Sequence, residues 1–257
     1  MDRHLEWDAC LNARDLGGLG LRQGGRTRWG SVVRSDNPAY LTGTGWRALE
    51  AYGVRTVIAL RTGGTTDDEP DPADVPAGVA VERVVVEDLS DAGFVESCVD
   101  TGRWRSPLYF STMLEHWPER CARAVSAVAR SRPGGVVISC GRGCDRTGLV
   151  AFLLLSLVGV APDEIAADWA LSVERLRPRD PDNEVALQAL LAREGTTILA
   201  SIEQTMHTID VRERLVAAGL SADDVAAVEH RLGGGPARNH RPPDDPACHD
   251  GPRPDRG

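Results

Sequence analysis

Residues 136–148 read VVISCGRGCDRTG: an apolar run, Val136 to Ile138, enters a loop holding Gly141 and Gly143, and helical character resumes after Arg146. A short continuous apolar run bounded by turn residues suits a strand buried on both faces of a parallel sheet. Strand, glycine loop and helix in that order turn successive backbone N–H groups inward and end on the positive N-terminus of a helix, which is a cradle for an anion. Cys140 falls at the strand exit, where the cradle and the helix dipole are expected to hold it as a thiolate. Arg146 follows where the loop returns, and its planar fork matches two oxygens of a tetrahedral dianion. Gly141 and Gly143 let the backbone approach that anion without a Cβ in the way. The Thr147 hydroxyl is expected to reach back to the Cys140 sulfur. The spacing separates this cysteine from the others: six residues after Cys10, Cys98, Cys121, Cys144 and Cys248 stand Leu16, Trp104, Ala127, Val150 and Pro254, and only Cys140 is followed by an arginine.

Outward from this unit, strands alternate with helical patterns. Residues 12–35 alternate turn residues with a short β-branched run and predict a small hairpin or meander. Thr42 precedes Trp46, Leu49 and Tyr52 at helical spacing, and strands are expected at Val54–Leu60 and Val79–Val86. Between them, residues 61–78 are rich in acids and prolines and read as an exposed loop. A helix is expected from Pro107 to Ser131, then the buried strand, then an apolar helix over 147–158. Helices follow at 162–174, 183–193, 196–207, 211–218 and 221–232. The fold class is therefore α/β, a central mostly parallel sheet flanked by helices, with a helical C-terminal third. Residues 1–232 are expected to form one catalytic domain. Residues 233–257 hold prolines, glycines and balanced charges with almost no aliphatics, the composition of a disordered tail.

Composition bounds the function. The chain has 257 residues, 42% hydrophobic and 26% charged, with a formal charge of −9. All 29 basic residues are arginine, so no Schiff-base lysine and no lysine phosphate clamp are available. An acidic chain argues against coating nucleic acid, since neutralising phosphates takes clustered excess cations. No segment is apolar for long enough to span a membrane, the first ten residues lack the apolar centre of a signal peptide, and a soluble cytoplasmic protein is expected. Six cysteines without zinc-ligand spacing read as reduced thiols, with no metal and no cofactor.

The loop Cys140–Gly148 resembles the signature of cysteine-dependent protein tyrosine phosphatases. It is most similar to the bacterial tyrosine/lipid phosphatase family, whose loop reads H-C-x-x-G-K-D-R-T-G. NARDLGG at 12–18 resembles that family's N-F-R-D-L-G-G, Arg34-Ser35 its R-S strand end, and Ala59 to Arg61 its D-L-R; the resemblance covers roughly residues 8–233. It implies a tyrosine-phosphatase-like fold and a metal-independent phosphomonoester hydrolase in which Cys140 forms a cysteinyl-phosphate. Arg146 and the loop N–H groups would hold the phosphoryl oxygens. A phosphorylated protein or small molecule would be the substrate and inorganic phosphate the product. The family pattern makes Asp145 the general acid, with Asp88 and Asp91 as competing candidates from a separate loop.

The loop also departs from its relatives: Ser139 replaces the histidine, Cys144 the lysine and Ala59 the aspartate, while Arg142 stands where a small uncharged residue is usual. Gly141, Arg142, Gly143, Cys144 and Thr147 are expected to face the phosphate. Arg14 and Asp15 read either as an ion pair beneath the loop or as substrate contacts. Arg34 and Arg61 read either as solvated surface or as phosphate ligands. Cys144 reads as a small filler or as a partner that traps oxidised Cys140. Acids and arginines over 163–214 read mostly as solvated helix faces. Trp104 and Trp117 are candidates to flank a substrate. Alternatives are a phosphatase of a small metabolite or a phosphoinositide, a phosphate-binding pseudophosphatase, and a rhodanese-like sulfurtransferase.

Overall fold

The apolar run at the centre of the sequence forms the middle strand of the sheet. In the computed structural model, which describes residues 2–64 and 70–234, five strands form one sheet among the described residues. They are β1 (Arg14–Asp15), β2 (Val32–Ser35), β3 (Val54–Gly63), β4 (Ala80–Asp88) and β5 (Gly135–Ser139), in the spatial order β1-β2-β5-β3-β4. β1 runs antiparallel to β2 and the remaining pairings are parallel. β5 slots between two strands made much earlier, with Ser139 level with both Ser35 and Ala59. Such a reversal of strand order opens a crevice at the carboxyl ends of the strands, where ligands of open α/β sheets bind.

Strand alternation divides the core into two layers. Val33, Val57 and Val137 pack with Trp7, Trp46 and Leu49, under α1 (Gly43–Ala51). Val32, Ile58 and Ile138 face the other way, toward the helices beyond β4. There α2 (Ala92–Phe94) continues into a wider turn at Val95–Val99 and is followed by α3 (Tyr109–His116) and α4 (Pro118–Arg130). The helix expected across 107–131 is therefore two. Pro118 has no N–H to continue the first helix and suits the opening position of the second.

After β5 comes α5 (Asp145–Leu157), buried along almost its whole length, as its nearly uniform apolar sequence requires. Then follow α6 (Pro162–Leu176), α7 (Asn183–Arg193), α8 (Ile198–Thr208), α9 (Val211–Ala217) and α10 (Ala222–Leu232), close to the expected bounds. Thr42, Thr197, Asp210 and Ser221 each accept a backbone N–H as side-chain caps of their helices. Among the described residues no helix is long and apolar enough to cross a membrane. The segment read as a tail lies outside the described residues, apart from Gly233 and Gly234.

Candidate active site

Cys140 leaves β5 at the carboxyl edge of the sheet and is 4% exposed. The loop returns through Gly143, whose φ of +67° is left-handed and whose added Cβ would lie 2.4 Å from the Ser35 carbonyl oxygen. Only glycine fits there without shifting β2. α5 begins at Asp145 with no side-chain cap, so its first N–H groups are left to the loop interior. Cys144, at the cap position, is 1% exposed and burial pushes its thiol well above the ordinary value. It is a protonated, packed thiol, and both loop sulfurs are free. The Thr147 hydroxyl is fully buried, but its expected hydrogen bond to the Cys140 sulfur is not formed.

The back of the loop is held by Asn12, Arg14 and Arg34, of which the two arginines are candidate phosphate contacts by sequence. Asn12 is buried and its side-chain amide donates to the carbonyls of Arg142 (3.1 Å) and Gly143 (3.0 Å). Arg34 donates to the Gly143 carbonyl (2.9 Å) and to Asp168 (2.7 Å). Arg14 donates to Asp168 (3.0 Å), Ser172 (2.8 Å) and Asn12 (2.5 Å). Both arginines are buried, at 0% and 1% exposure. The structure thus places Arg14 and Arg34 buried beneath the loop, with their guanidiniums on Asp168, Ser172, Asn12 and the Gly143 carbonyl. The anticipated Arg14–Asp15 pair is absent: Asp15 accepts from the backbones of Gly17 (2.6 Å) and Gly30 (2.7 Å) and from the Tyr52 hydroxyl, away from the site.

Asp168 takes the partnership instead, from α6, and also receives Arg3 at 2.7 Å. Burial alone would raise its carboxyl, but the three guanidinium charges prevail and hold it far below the usual carboxylate range. Its sequence signal was its position. Ile165, Trp169, Ser172, Val173 and Leu176 make the buried stripe of α6, and an acid at 168 lies on that stripe rather than on the solvated face.

Arg146 is buried and donates to the Leu60 carbonyl (2.9 Å), and its Nε lies 3.2 Å from Glu87. Glu87 is 1% exposed and accepts from the Thr62 (2.8 Å) and Tyr109 (2.6 Å) hydroxyls. Burial raises its carboxyl, opposed chiefly by the charge of Arg146. Alternation after Val84 and Val86 would point Glu87 to solvent, so the sequence alone does not mark it. A β-bulge intervenes: Arg61 pairs with Val85 but Thr62 with Glu87, so Val86 and Glu87 are both buried.

The candidate acids differ in their partners. Asp88 accepts from Ser90 (2.6 Å and 3.0 Å) and Arg120 (3.1 Å), and these bonds lower its carboxyl. Asp91 pairs with His116 (2.9 Å) and caps α2, and is lowered likewise. Asp145 is buried in the first turn of α5, with one carboxylate oxygen 3.2 Å from Arg142 and the other without a hydrogen-bond partner among the described residues. Arg142 stands at the rim and also pairs with Asp180. Arg61, at the end of β3, pairs with Asp71 at 2.7 Å. Trp117 packs on Phe94, with ring centroids 4.6 Å apart, and under Arg120; Trp104 is partly buried against the core.

Comparison of the chain with known proteins gives the family. A family model described as the tyrosine phosphatase family matches residues 5–233. A protein of Cupriavidus necator, inferred from its name to be a tyrosine-protein phosphatase, is 30% identical over 229 residues, covering 86% of this chain and 82% of its own. A tyrosine-protein phosphatase of Nostoc commune is 28% identical over 154 residues, covering 59% of this chain and 52% of its own.

Proposed function

The chain belongs to the tyrosine phosphatase family and is on that ground a phosphoric monoester hydrolase; from that premise we propose that it works through a cysteinyl-phosphate on Cys140, without a metal, on phosphotyrosine in proteins. The observation that carries the reading is Arg146, buried behind the loop and fixed by the Leu60 carbonyl and Glu87. A guanidinium aimed by buried partners needs no reorganisation when charge builds on a transferring phosphoryl group.

In the first step the Cys140 sulfur attacks phosphorus. The bond to the leaving oxygen breaks, and that oxygen takes its electron pair and the Asp145 proton. In the second step Asp145, now a carboxylate, removes a proton from water, which attacks phosphorus and expels the thiolate and inorganic phosphate. The assignment is supported by the Asp145 oxygen that has no hydrogen-bond partner among the described residues, the other being paired with Arg142, whereas both carboxylate oxygens of Asp88 and of Asp91 are engaged. The free thiols among the described residues favour a reducing compartment such as the cytoplasm.

The test is phosphate release from an aryl phosphate and from phosphotyrosine peptides by the purified protein. Cys140→Ser is expected to abolish turnover, and Arg146→Ala to reduce kcat/KM by about a thousandfold or more, with folding intact by circular dichroism. Turnover retained in Cys140→Ser would refute the mechanism.

A further inference from the structure

Three successive carbonyls of the loop after β5 are held from outside it. The Gly141 carbonyl accepts from the Asn37 N–H (3.4 Å), the Arg142 carbonyl from the Asn12 amide (3.1 Å), and the Gly143 carbonyl from both Asn12 (3.0 Å) and Arg34 (2.9 Å). We propose that Asn12 and Arg34 are positioning residues that turn the Gly143 and Cys144 N–H groups onto the phosphoryl oxygens, a proposal that rests on the reading of this loop as the catalytic centre. A trans peptide unit is planar, with its C=O and N–H pointing opposite ways, and these units are trans. Drawing the Arg142 and Gly143 carbonyls outward therefore sends the N–H groups of the next residues, Gly143 and Cys144, inward. Neither N–H has a hydrogen-bond partner among the described residues, so both donors are left to a ligand.

The chain also fixes which end of the Asn12 amide meets the loop. The Asn12 side-chain oxygen accepts from Arg14 (2.5 Å), so the NH2 group is the end that faces the two carbonyls. An aspartate of the same size would set oxygen against oxygen there. The Asn12 backbone is tied in turn: the N–H groups of Leu11 and Asn12 donate to Asp36, at 3.2 Å and 3.1 Å, and Asp36 is fully buried. Arg34 adds charge. It is buried and shares Asp168 with Arg3 and Arg14, so three guanidiniums meet one carboxylate in this cluster. Its charge-assisted bond to the Gly143 carbonyl polarises that peptide unit and makes the Cys144 N–H a stronger donor. Donors set in advance gain most where charge builds on the transferring phosphoryl group, in the transition state rather than in bound substrate. Neither residue touches the reacting atoms; each acts through a peptide unit of the loop.

The experiment uses Asn12→Asp, which keeps the acceptor for Arg14 and removes the donor to the loop. Amide 1H–15N spectra of the Cys140→Ser protein, with and without Asn12→Asp, are recorded without phosphate and at saturating inorganic phosphate, so no turnover is needed. Phosphate is expected to shift the Gly143 and Cys144 amides downfield when Asn12 is present. With Asn12→Asp those two shifts are expected to be largely lost, while the Arg146 and Thr147 amides, in the first turn of α5, keep theirs. A plain charge effect or a loosened fold would diminish all four together. With Cys140 in place, Asn12→Asp is expected to lower kcat about a hundredfold, to change KM less than about threefold, and to weaken inhibition by vanadate in step with kcat/KM. Arg34→Lys, which keeps the charge, is expected to retain more of kcat than Arg34→Gln. Should Asn12→Asp fail to fold, Asn12→Ala carries both measurements. Unaltered Gly143 and Cys144 shifts, equal loss at all four amides, or a vanadate constant that holds while kcat/KM falls would overturn the proposal. Turnover retained in Cys140→Ser would instead sink the catalytic reading, with the amide shifts still deciding whether Asn12 turns the loop.

Discussion

At the scale of single residues, two buried acids set the arginines of the site. Glu87 neutralises Arg146 from behind and Asp168 neutralises Arg3, Arg14 and Arg34. Neither carboxylate is aimed at a substrate, but each determines where an arginine or a loop carbonyl points. Glu87→Gln is close in size, removes the charge and turns one of the two acceptor oxygens into a donor. It is expected to lower kcat at least about tenfold, or about 1.4 kcal/mol of transition-state stabilisation, because Arg146 is no longer pinned. Inhibition by inorganic phosphate should hold or strengthen, since the loop then carries one more net positive charge. Steady-state kinetics with phosphate as competitive inhibitor checks both halves. The loop itself was legible from sequence because nucleophile, glycines, acid and arginine lie within seven consecutive residues. Glu87 and Asp168 were not, because each acts on a partner distant in the chain, and one is turned inward by a bulge that alternation does not anticipate.

At the scale of elements, the loop is clamped between β2 and α6. Arg34 and Asn12 hold the Gly143 carbonyl, while the left-handed Gly143 lets the loop pass β2 so closely that an added Cβ would lie 2.4 Å from the Ser35 carbonyl oxygen. Gly143→Ala is expected to cost a few kcal/mol of stability, from the unfavourable φ and the overlap with β2 backbone. It should lower kcat/KM more than a hundredfold while far-UV circular dichroism stays that of a folded protein. A thermal melt alongside aryl phosphate kinetics checks this. Gly148 serves the neighbouring contact: a Cβ there would stand 2.9 Å from the Trp169 indole, so α5 and α6 approach closely where the clamp is anchored. Element positions were largely readable from periodicity and caps. The break at Pro118 is a proline effect visible in the sequence, overridden in the reading by the apolar periodicity on either side of it.

At the scale of the whole molecule, the arginine-only basic complement sets the acid stability. Asp168 lies well below its ordinary range, and Asp224 is lowered to about 2 by its bonds to Arg130 (2.7 Å and 2.8 Å), Ser221 and Ser126. A carboxyl lowered in the folded state adds stability that is complete above its unfolded value, about pH 4, and disappears as pH falls through the folded value. Glu87, raised by burial, acts with the opposite sign, its cost vanishing on protonation. The melting temperature is therefore expected to fall steeply below about pH 4, and less steeply in Asp224→Asn, which should already be less stable at pH 7. Calorimetric or fluorescence melts from pH 7 to pH 2 check the slope, and equal slopes for the two proteins would contradict the assignment.

The position of β5 also bears on how the chain is made. β2, β3 and β4 are synthesised by residue 88, yet the first of them touches the other two only through a strand that begins at Gly135. Until that strand emerges, β2 and β3 each present an unpaired inner edge, the kind of surface that pairs with the wrong chain. The segment that closes the gap is the one that ends in Cys140, so the sheet becomes continuous and the nucleophile reaches its loop in the same event. A nascent chain that has just closed its sheet therefore carries the nucleophile but not yet Arg146, nor the Asp168 that anchors Arg14 and Arg34 beneath the loop, so the strand order is completed before the site is.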